Sequence, residues 1–241
     1  MQLPLISIIT VTKNCATTIG KTLDSVAKIK SADIEYIIID GVSTDNTLDI
    51  VQSAGSLIDQ LVSEPDTGIY NAMNKGIKHA SGAYILFING DDELIPEGFS
   101  DVRAALRLGD VDVLCAMTAV DDNSARPEML VAQPWHLPFY NSIPHPSAFV
   151  SSALLKQYGF REDLRIASDY DLFLRLFIDR RRFQKIDVAT ALHRRGGASG
   201  NTLLSEKEVE QIKREQLKLF YPLVRLAQGM HRLRKKVIKA G

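Results

Sequence analysis

Two adjacent carboxylates and an amide follow directly on an apolar run near the middle of the chain. Residues Tyr84–Ile88 are apolar, and the polar turn Asn89-Gly90-Asp91-Asp92 comes next. A short apolar run is typical of a strand buried on both faces of a mostly parallel sheet. Ligands bind beyond the carboxyl ends of such strands, and hard divalent cations prefer oxygen donors. The turn predicts that Asp91 and Asp92 hold Mg²⁺ or Mn²⁺ against a phosphorylated substrate, although such residues also cap the segment that follows.

Other polar residues come at the ends of the preceding apolar runs. Thr10, Val11 and Asn14 close the first run, Asp40 ends the second, and Asp66 lies in the loop after the third. Taken singly, Asp40 fits a helix-capping turn and Asp66 a type I turn. Acidic loops that meet at one edge of a sheet are harder to explain as caps. A carboxylate at the end of the second strand can accept hydrogen bonds from a nucleoside base or ribose.

Apolar strands alternate with amphipathic helices through the first half of the chain. Short connections between them predict an α/β fold with a doubly wound, mostly parallel sheet flanked by helices and right-handed crossovers. The chain has no GxGxxG and no GxxxxGK[ST] segment, which counts against dinucleotide and P-loop sites. The predicted strands are Leu5–Val11, Ile34–Asp40, Ile58–Ser63 and Tyr84–Ile88; the predicted helices start near Thr17 or Thr18, near Thr44 or Asp45, and at Ile69, the last ending near His79.

Composition narrows the class of protein. The chain has 241 residues, enough for one large domain or a domain with an appendage. Its 29 basic and 29 acidic residues cancel, so the whole molecule has no electrostatic bias toward nucleic acid. Cys15 and Cys115 form no CxxC pair and are expected to be reduced thiols of a cytosolic protein. We expect neither a signal peptide nor a membrane span.

Several of these segments together resemble the family 2 glycosyltransferases of GT-A fold. They are Ser7–Asn14, Ile38–Asp45 and Phe87–Asp92. The segment Ser63–Gly76, with Glu-Pro-Asp-Thr-Gly-Ile-Tyr after its first residue, is similar to one in bacterial surface-polysaccharide transferases of the colanic-acid and O-antigen type. The resemblance extends over roughly Leu5–Ser199. It implies a GT-A (Rossmann-like) domain that binds a nucleotide-diphosphate sugar.

The resemblance also implies roles for single residues. Asp40 would contact the base, Asp66 would help to shape the nucleotide pocket, and Asp91 would be the main metal ligand. The chain departs from the family pattern in that Asn89 replaces the first Asp of the usual DxD motif, and Gly41-Val42 replaces the common Asp-Gly pair. An amide still accepts from a ribose hydroxyl or a metal, but weaker metal dependence is implied.

His145 lies between two prolines in the segment Ile143–Val150. This predicts an extended backbone and a positioned side chain. A buried histidine bonded to a carbonyl is the structural alternative. The resemblance, which includes a His-x-(Ser/Ala)-x-Phe segment, favours an active-site wall or an acceptor contact.

A second chemical signal comes from Asp169 and Asp171. Ser168 is the predicted cap of a helix, so Asp169 would lie in its first turn, where the macrodipole favours the ionised carboxylate. Asp171 comes two residues later and cannot point the same way. Both could be ordinary N-terminal acids. The segment resembles the (Glu/Ser)-Asp-x-Asp-Leu motif of the family, which implies that Asp169 is the general base of an inverting transfer.

His193, Arg194 and Arg195 precede a Gly-Gly pair. A flexible loop here would close over a diphosphate, with guanidinium groups neutralising the leaving group. An ordinary surface loop is the alternative. The segment is similar to the Gly-Gly-x-Ser segment of the same transferases.

The end of the chain is predicted to be helical and basic. Residues 210–241 contain nine Lys and Arg against two Glu. A basic amphipathic helix suits an anionic membrane, although a solvated helix or a dimer contact would have a similar pattern. We expect a GT-A domain over residues 1–203, with a nucleotide-sugar half (1–95) and an acceptor half (96–203), and a membrane-proximal tail over 204–241.

These expectations combine into one hypothesis. The chain is predicted to be a cytoplasmic glycosyltransferase, peripheral on the inner face of the cytoplasmic membrane, that moves a sugar to a lipid-linked or saccharide acceptor. Two rivals stay open. A sugar-1-phosphate nucleotidyltransferase would release pyrophosphate instead of a nucleoside diphosphate. A nucleotide-sugar-binding accessory subunit would not turn over a donor.

Overall fold

The computed structural model describes residues 3–121, 127–194 and 202–240, with side chains from 203 to 230 in the last range. The described residues form one nine-stranded sheet with helices packed around it. The strands are β1 (Ile6–Thr12), β2 (Ile34–Asp40), β3 (Gln60–Ser63), β4 (Tyr84–Asn89), β5 (Glu93–Leu94), β6 (Val113–Asp121), β7 (Glu128–Leu130), β8 (Ala148–Ser151) and β9 (Phe183–Arg194). The helices are α1 (Ile19–Ala27), α2 (Thr47–Ser53), α3 (Ile69–His79), α4 (Phe99–Arg107), α5 (Ser152–Tyr158), α6 (Ser168–Ile178), α7 (Thr202–Leu217) and α8 (Tyr221–Ala240).

The strand order is β3-β2-β1-β4-β8-β6-β9-β5, with β7 paired to β6. The first four strands in this order are all parallel, and β8 then joins β4 and β6 in antiparallel fashion. The register places Thr12 beside Asp40 and Val11 beside Asn89. The predicted α/β fold with a mostly parallel sheet and flanking helices is confirmed.

Alternate residues of the central strands pack on opposite faces of this sheet. In β1, Ile6 and Ile8 join the core under α1 and α4, whereas Ile9 and Val11 join the core shared with α3, α5, α6 and α7. Because successive side chains of a strand point to opposite faces, a strand with both faces covered has to be apolar throughout. This explains the unbroken apolar runs in the sequence.

Several predicted elements differ from the structure. Helix α4, Phe99–Arg107, is not among the predicted helices, and it buries Phe99, Val102 and Leu106. Strand β3 starts at Gln60 instead of Ile58: a 3-10 turn covers Gly55–Leu57, and the pairing with β2 begins only at Gln60.

The C-terminal helices are attached to the body of the fold. Ile212 and Leu217 of α7 are buried in the core that α3 and α6 share. No helix within the described ranges is both long and apolar enough to cross a bilayer. The predicted division of the chain near residue 203 stays a prediction.

Candidate active site

A cleft of about 770 Å³ opens at the carboxyl ends of β1 and β4. Its walls come from these strand ends, from α3 and the loop before it, and from the first turn of α6. The sheet register brings the ends of β1 and β4 together, since Val11 and Asn89 are direct neighbours in the ladder. The predicted site residues that line the cleft are Val11, Asp66, Asn89, Gly90, Asp91, His145, Asp169 and His193.

The turn from Asn89 to Asp92 is held by both backbone and side-chain bonds. The Asp92 amide donates to the Asn89 carbonyl over 3.2 Å, and Thr18 Oγ1 donates to the Gly90 carbonyl over 2.7 Å. A β-carbon on Gly90 would come within 3.1 Å of Thr12 Oγ1. Glycine therefore lets the turn lie flat against the end of β1.

The two carboxylates of this turn have different surroundings. Asp92 is fully buried, and its Oδ1 lies 2.7 Å from Nδ1 of His193. Asp91 is half-buried and faces the cleft. Burial raises the pKa of Asp91 above its ordinary value, and the neighbouring Asp92 adds to this rise. A cation beside the pair would favour the ionised form of Asp91.

The oxygens at this turn suit a hard cation. Within the described ranges, Asn89 Oδ1 and Asp92 Oδ2 are buried without a hydrogen-bond partner. Buried polar atoms are normally paired, so these oxygens are candidate ligands. No group of three or more His, Cys, Asp or Glu side chains suited to a metal is found among the described residues. A cation here would therefore depend on the phosphate oxygens of its substrate for the remaining ligands.

His145 lies between this turn and α6. Its Nε2 lies 3.4 Å from Asn89 Nδ2, and its Nδ1 lies 3.8 Å from Asp169 Oδ2. The expected extended backbone at His145 is wrong, because residues His145–Ser147 form a 3-10 turn. Ser147 Oγ anchors that turn by donating to the Met117 carbonyl over 2.9 Å. The side chain is nevertheless positioned, as predicted, in the wall of the cleft.

Asp169 is the second residue of α6 and points into the cleft. Asn141 Nδ2 donates to its Oδ2 over 3.2 Å, whereas Oδ1 is buried with no partner among the residues described. Asp171 faces away: it is fully buried, and Arg175 Nε donates to it over 2.7 Å. The Asp169 side chain is 15% exposed and lines the cleft at a helix N-terminus, where an ionised carboxylate is favoured and can accept a proton.

Ser168 is not the cap that was predicted. Ala167 precedes the first helical residue, and the Ser168 hydroxyl instead accepts a hydrogen bond from the Arg161 amide over 2.6 Å.

Asp40 and Thr10 are not available to a ligand. Asp40 is fully buried, and its carboxylate accepts from the Ser43 amide over 3.0 Å and from Ser63 Oγ over 2.7 Å. Thr10 is also fully buried, and its hydroxyl lies 3.0 Å from that of Tyr36. The predictions that these residues touch the donor are wrong. The Asp40 carboxylate organises the turn after β2, and the Thr10 side chain faces Tyr36 in the core under α1 and α4.

Asn14 contacts the same turn after β2 but does not line the cleft. It has a positive φ of 55°, and its Oδ1 accepts from the Thr44 amide over 2.8 Å. Its role is to join the ends of β1 and β2.

Asp66 lies against the backbone of the turn that Asp40 organises. A β-carbon on Gly41 would lie 2.1 Å from Asp66 Oδ2, and Asp66 Oδ1 accepts from the Gly68 amide over 3.0 Å. The departure from the family pattern at Gly41 thus leaves the space that the Asp66 carboxylate occupies. Of these two carboxylates, Asp66 lines the cleft and Asp40 does not.

His193 and Arg194 lie on β9, not in the predicted loop. The pairing of β9 with β6 extends the strand this far, and Arg194 forms an ion pair with Glu93 of β5. His193 contributes to the cleft wall through its bond with Asp92. Arg195 lies outside the described residues.

The prediction from sequence missed several residues of the cleft. Lys13, Tyr70, Asn141 and Arg165 also line it. Tyr70 lies within the Ser63–Gly76 segment that carried the resemblance, so a signal for it existed. Asn141 comes in an irregular stretch whose fold the sequence pattern does not specify.

Comparisons with known proteins identify a family and a fold. The family model described as glycosyl transferase family 2 matches residues 7–159. A PGL/p-HBAD biosynthesis glycosyltransferase of Mycobacterium bovis (strain BCG / Pasteur 1173P2) is 29% identical over 227 residues, which cover 88% of this chain and 85% of that protein.

Two solved structures have the same fold. Residues 1–349 of S. aureus TarS in complex with UDP-GlcNAc give a TM-score of 0.71 at 21% identity, over 90% of this chain and 72% of that one. The mannosyltransferase PcManGT of Pyrobaculum calidifontis, in complex with GDP-Man and Mn²⁺, gives a TM-score of 0.70 at 17% identity. The match covers 93% of this chain and 69% of that one.

Proposed function

The chain belongs to glycosyl transferase family 2, and from this premise we propose that it transfers a sugar from a nucleotide-diphosphate donor to a hydroxyl of a lipid-linked or saccharide acceptor. The reaction would serve bacterial surface-polysaccharide or glycolipid synthesis, in line with the name of the mycobacterial relative. The observation that carries the proposal is that Asp91 and Asp169 line the same cleft, with His145 between the turn that carries Asp91 and the first turn of α6.

The donor would lie across the ends of the parallel strands. Its nucleoside would lie on the side of Asp66 and Tyr70, and its diphosphate would lie near the turn from Asn89 to Asp91. This orientation places the anomeric carbon toward Asp169. The complexes of TarS with UDP-GlcNAc and of PcManGT with GDP-Man support a nucleotide-sugar donor of this kind.

Mg²⁺ or Mn²⁺ would be held by Asp91, with Asn89 Oδ1 and Asp92 Oδ2 as further oxygens. When bound, such a cation neutralises the negative charge of the departing diphosphate. The unpaired oxygens described above support this ligand set, as does Mn²⁺ in the PcManGT complex. The buried bond between Asp92 and His193 would keep the turn rigid.

Asp169 would act as the general base. Its carboxylate takes the proton of the acceptor hydroxyl, the hydroxyl oxygen attacks the anomeric carbon, and the bond from that carbon to the phosphate oxygen breaks. Asn141 orients the carboxylate by donating to its Oδ2 over 3.2 Å. Attack opposite the leaving group inverts the anomeric configuration. A positioned base contributes about 10²- to 10⁴-fold to such a step.

A surface on α8 supports a membrane-bound acceptor. One face of α8 packs on the protein through Tyr221 and Val224, and Gln228 Nε2 donates to the Phe139 carbonyl over 2.5 Å. The opposite face is apolar and exposed. It carries Leu223, Leu226 and Met230, which are 63%, 62% and 54% exposed. Their spacings of three and four residues put these three side chains on one side of the helix.

We assign this face to the anionic inner surface of the cytoplasmic membrane. The sequence continues the apolar spacing with Leu233 and Val237 and adds basic residues around it, which suits an interfacial helix. In sedimentation with phosphatidylserine vesicles, Leu223→Glu with Leu226→Glu should abolish binding. Leu108→Glu with Leu203→Glu adds the same charge at two other exposed leucines and should bind as wild type. Equal sedimentation of both double variants would disprove this assignment.

The proposed reaction is tested by its products. A panel of UDP- and GDP-sugars is screened for thermal stabilisation with and without Mn²⁺, because a bound donor stabilises the native state by mass action. The stabilising donor should then release its nucleoside diphosphate in the presence of a lipid-linked or saccharide acceptor. Release of pyrophosphate would indicate the nucleotidyltransferase instead, and binding without any release would indicate the accessory subunit.

A further inference from the structure

The peptide group that joins Ile166 to Ala167 is held from two sides just before the catalytic turn. Its carbonyl, that of Ile166, accepts from the hydroxyl of Tyr70 over 2.5 Å, and its N–H, that of Ala167, donates to Oε2 of Glu208 over 2.9 Å. Tyr70 belongs to α3 and Glu208 to α7. Side chains from two separate helices thus hold the same peptide group, three residues before Asp169.

Glu208 also binds the neighbouring amides. Its Oε1 accepts from the backbone amide of Arg165 over 2.8 Å, and its Oε2 accepts from the backbone amides of Ile166 and Ala167, each over 2.9 Å. Glu208 is only 7% exposed. A buried carboxylate is costly unless hydrogen bonds compensate for the lost water, and these three amides supply that compensation. The carboxylate therefore fixes three successive peptide groups at once.

Tyr70 is equally buried, at 6% exposure. Burial raises the pKa of Tyr70 above its ordinary value, and the charge of Asp169 adds to this rise. The hydroxyl therefore keeps its proton and stays a donor to the Ile166 carbonyl. Its ring stacks on Phe160, with 5.6 Å between the ring centroids, so the direction of the hydroxyl is fixed by packing.

These contacts bear directly on Asp169. Ala167 is the residue that precedes α6, and Asp169 comes two residues later. A change in the backbone of this turn would move the Asp169 carboxylate relative to the donor side of the cleft, of which Tyr70 is itself a wall. Misplacement of a catalytic group by about 1 Å can cost about 10²-fold in rate.

We propose that Tyr70 and Glu208 are positioning residues that clamp the peptide group between Ile166 and Ala167 and thereby aim the Asp169 carboxylate at the acceptor hydroxyl. The inference rests on the proposed function, in that it takes Asp169 as the base. The proposal also assigns a part in catalysis to α7. This helix lies beyond the residues that the family model matches. Gln216 of α7 adds a second anchor on α6 by donating to Asp171 Oδ1 over 2.8 Å.

The first test reads the clamp without any substrate. Hydrogen exchange of the full chain is followed at the amides of residues 165–167 in Glu208→Gln, Glu208→Ala and Tyr70→Phe. Glu206→Gln is the matched control, since Glu206 is an exposed glutamate of the same helix. Both Glu208 variants should exchange at least about tenfold faster at these amides, because a lost bond exposes the donors to solvent. Unchanged exchange in Glu208→Ala would overturn the clamp.

The second test separates positioning from general stability. With the donor that the thermal screen identifies, Glu208→Ala should lower kcat about 10- to 100-fold and leave the KM for the donor within about twofold. Glu208→Gln should lie between Ala and wild type, since its amide oxygen retains part of the acceptor set. Assays at temperatures where every variant is folded keep unfolding out of the comparison.

The outcomes also distinguish the clamp from the proposed function. If Asp169→Asn is inactive while Tyr70→Phe and Glu208→Ala keep wild-type kcat, the clamp is wrong and the base assignment stands. If Asp169→Asn retains activity, the base assignment fails, whatever the exchange at residues 165–167 shows about the clamp itself.

Discussion

Nδ1 of His145 lies 3.8 Å from Oδ2 of Asp169. On its other side, the imidazole lies 3.4 Å from the amide of Asn89. One ring therefore spans the distance between the strand-end turn, which would hold the diphosphate, and the helix terminus, which would hold the base. The proposed inverting transfer requires these two groups on opposite sides of the anomeric carbon, and His145 connects the elements that carry them.

Asp91→Asn should abolish stabilisation by a donor with Mn²⁺. The bound wild type gains about 2.7 kcal/mol at a ligand concentration of 100 times Kd, and the variant should show no such gain. Without ligand, Asp91→Asn should be more stable than wild type, because the raised pKa of Asp91 reflects burial and repulsion by Asp92. Thermal unfolding with and without donor measures both effects. Asp101→Asn, at an exposed position of α4, is the control; an unchanged donor effect in Asp91→Asn would contradict the metal site.

Gly41→Ala should weaken nucleotide binding. The added β-carbon would overlap with Asp66 Oδ2, and overpacking of this kind costs about 1–3 kcal/mol. Gly20→Ala is a matched control, since a β-carbon on Gly20 in α1 meets nothing within 4 Å and alanine favours a helix. Titration with UDP and GDP gives the affinities and urea unfolding the stabilities. Wild-type affinity in Gly41→Ala would show that the Asp66 carboxylate does not shape this pocket.

Glu162 should make stability depend on pH. Hydrogen bonds from Asn74 and Asn71 lower the pKa of Glu162 below its ordinary value of 4.5. Since its folded-state pKa is depressed, the stabilisation is present above the unfolded pKa and is lost as pH falls through the folded one. Urea unfolding should find Glu162→Gln less stable than wild type at neutral pH, by at most about 1 kcal/mol for such an exposed group. The free energies of unfolding of the two proteins should become equal at acidic pH. A difference between them that stays constant as the pH falls would exclude this linkage.

The product should have the anomeric configuration opposite to that of the donor sugar. Of the described carboxylates that line the cleft, Asp66 and Asp91 are assigned to the donor and Asp169 to the acceptor hydroxyl, which suits a single displacement. Proton NMR of the anomeric signal, recorded on product formed at early times, reads the configuration directly. Retention would require a different chemical route.

Much of the fold was predictable because it depends on local pattern. The bounds of β2 and α3 agree with the prediction, since an unbroken apolar run marks the strand and a regular apolar spacing marks the helix. Asp91 and Asp169 were predicted to share a cleft and both line it, because each lies at the end of such an element.

Contacts between distant residues could not be predicted in this way. The sequence places Asp40 at a strand end, but not the hydroxyl of Ser63 that occupies its carboxylate. Likewise, nothing near Glu208 in the sequence indicates that it binds amides more than forty residues earlier. Burial and partner choice at these positions depend on how the helices pack, which the local pattern does not specify.

The most direct test of the central claim is Asp169→Asn, measured for donor affinity and for turnover in the same preparation. The amide keeps the shape of the side chain but cannot take a proton, so donor Kd should stay within about threefold while turnover falls by at least about 10²-fold. Asp179→Asn, at the other end of α6, should turn over as wild type. Turnover of Asp169→Asn at the wild-type rate would contradict the assignment of this carboxylate as the base.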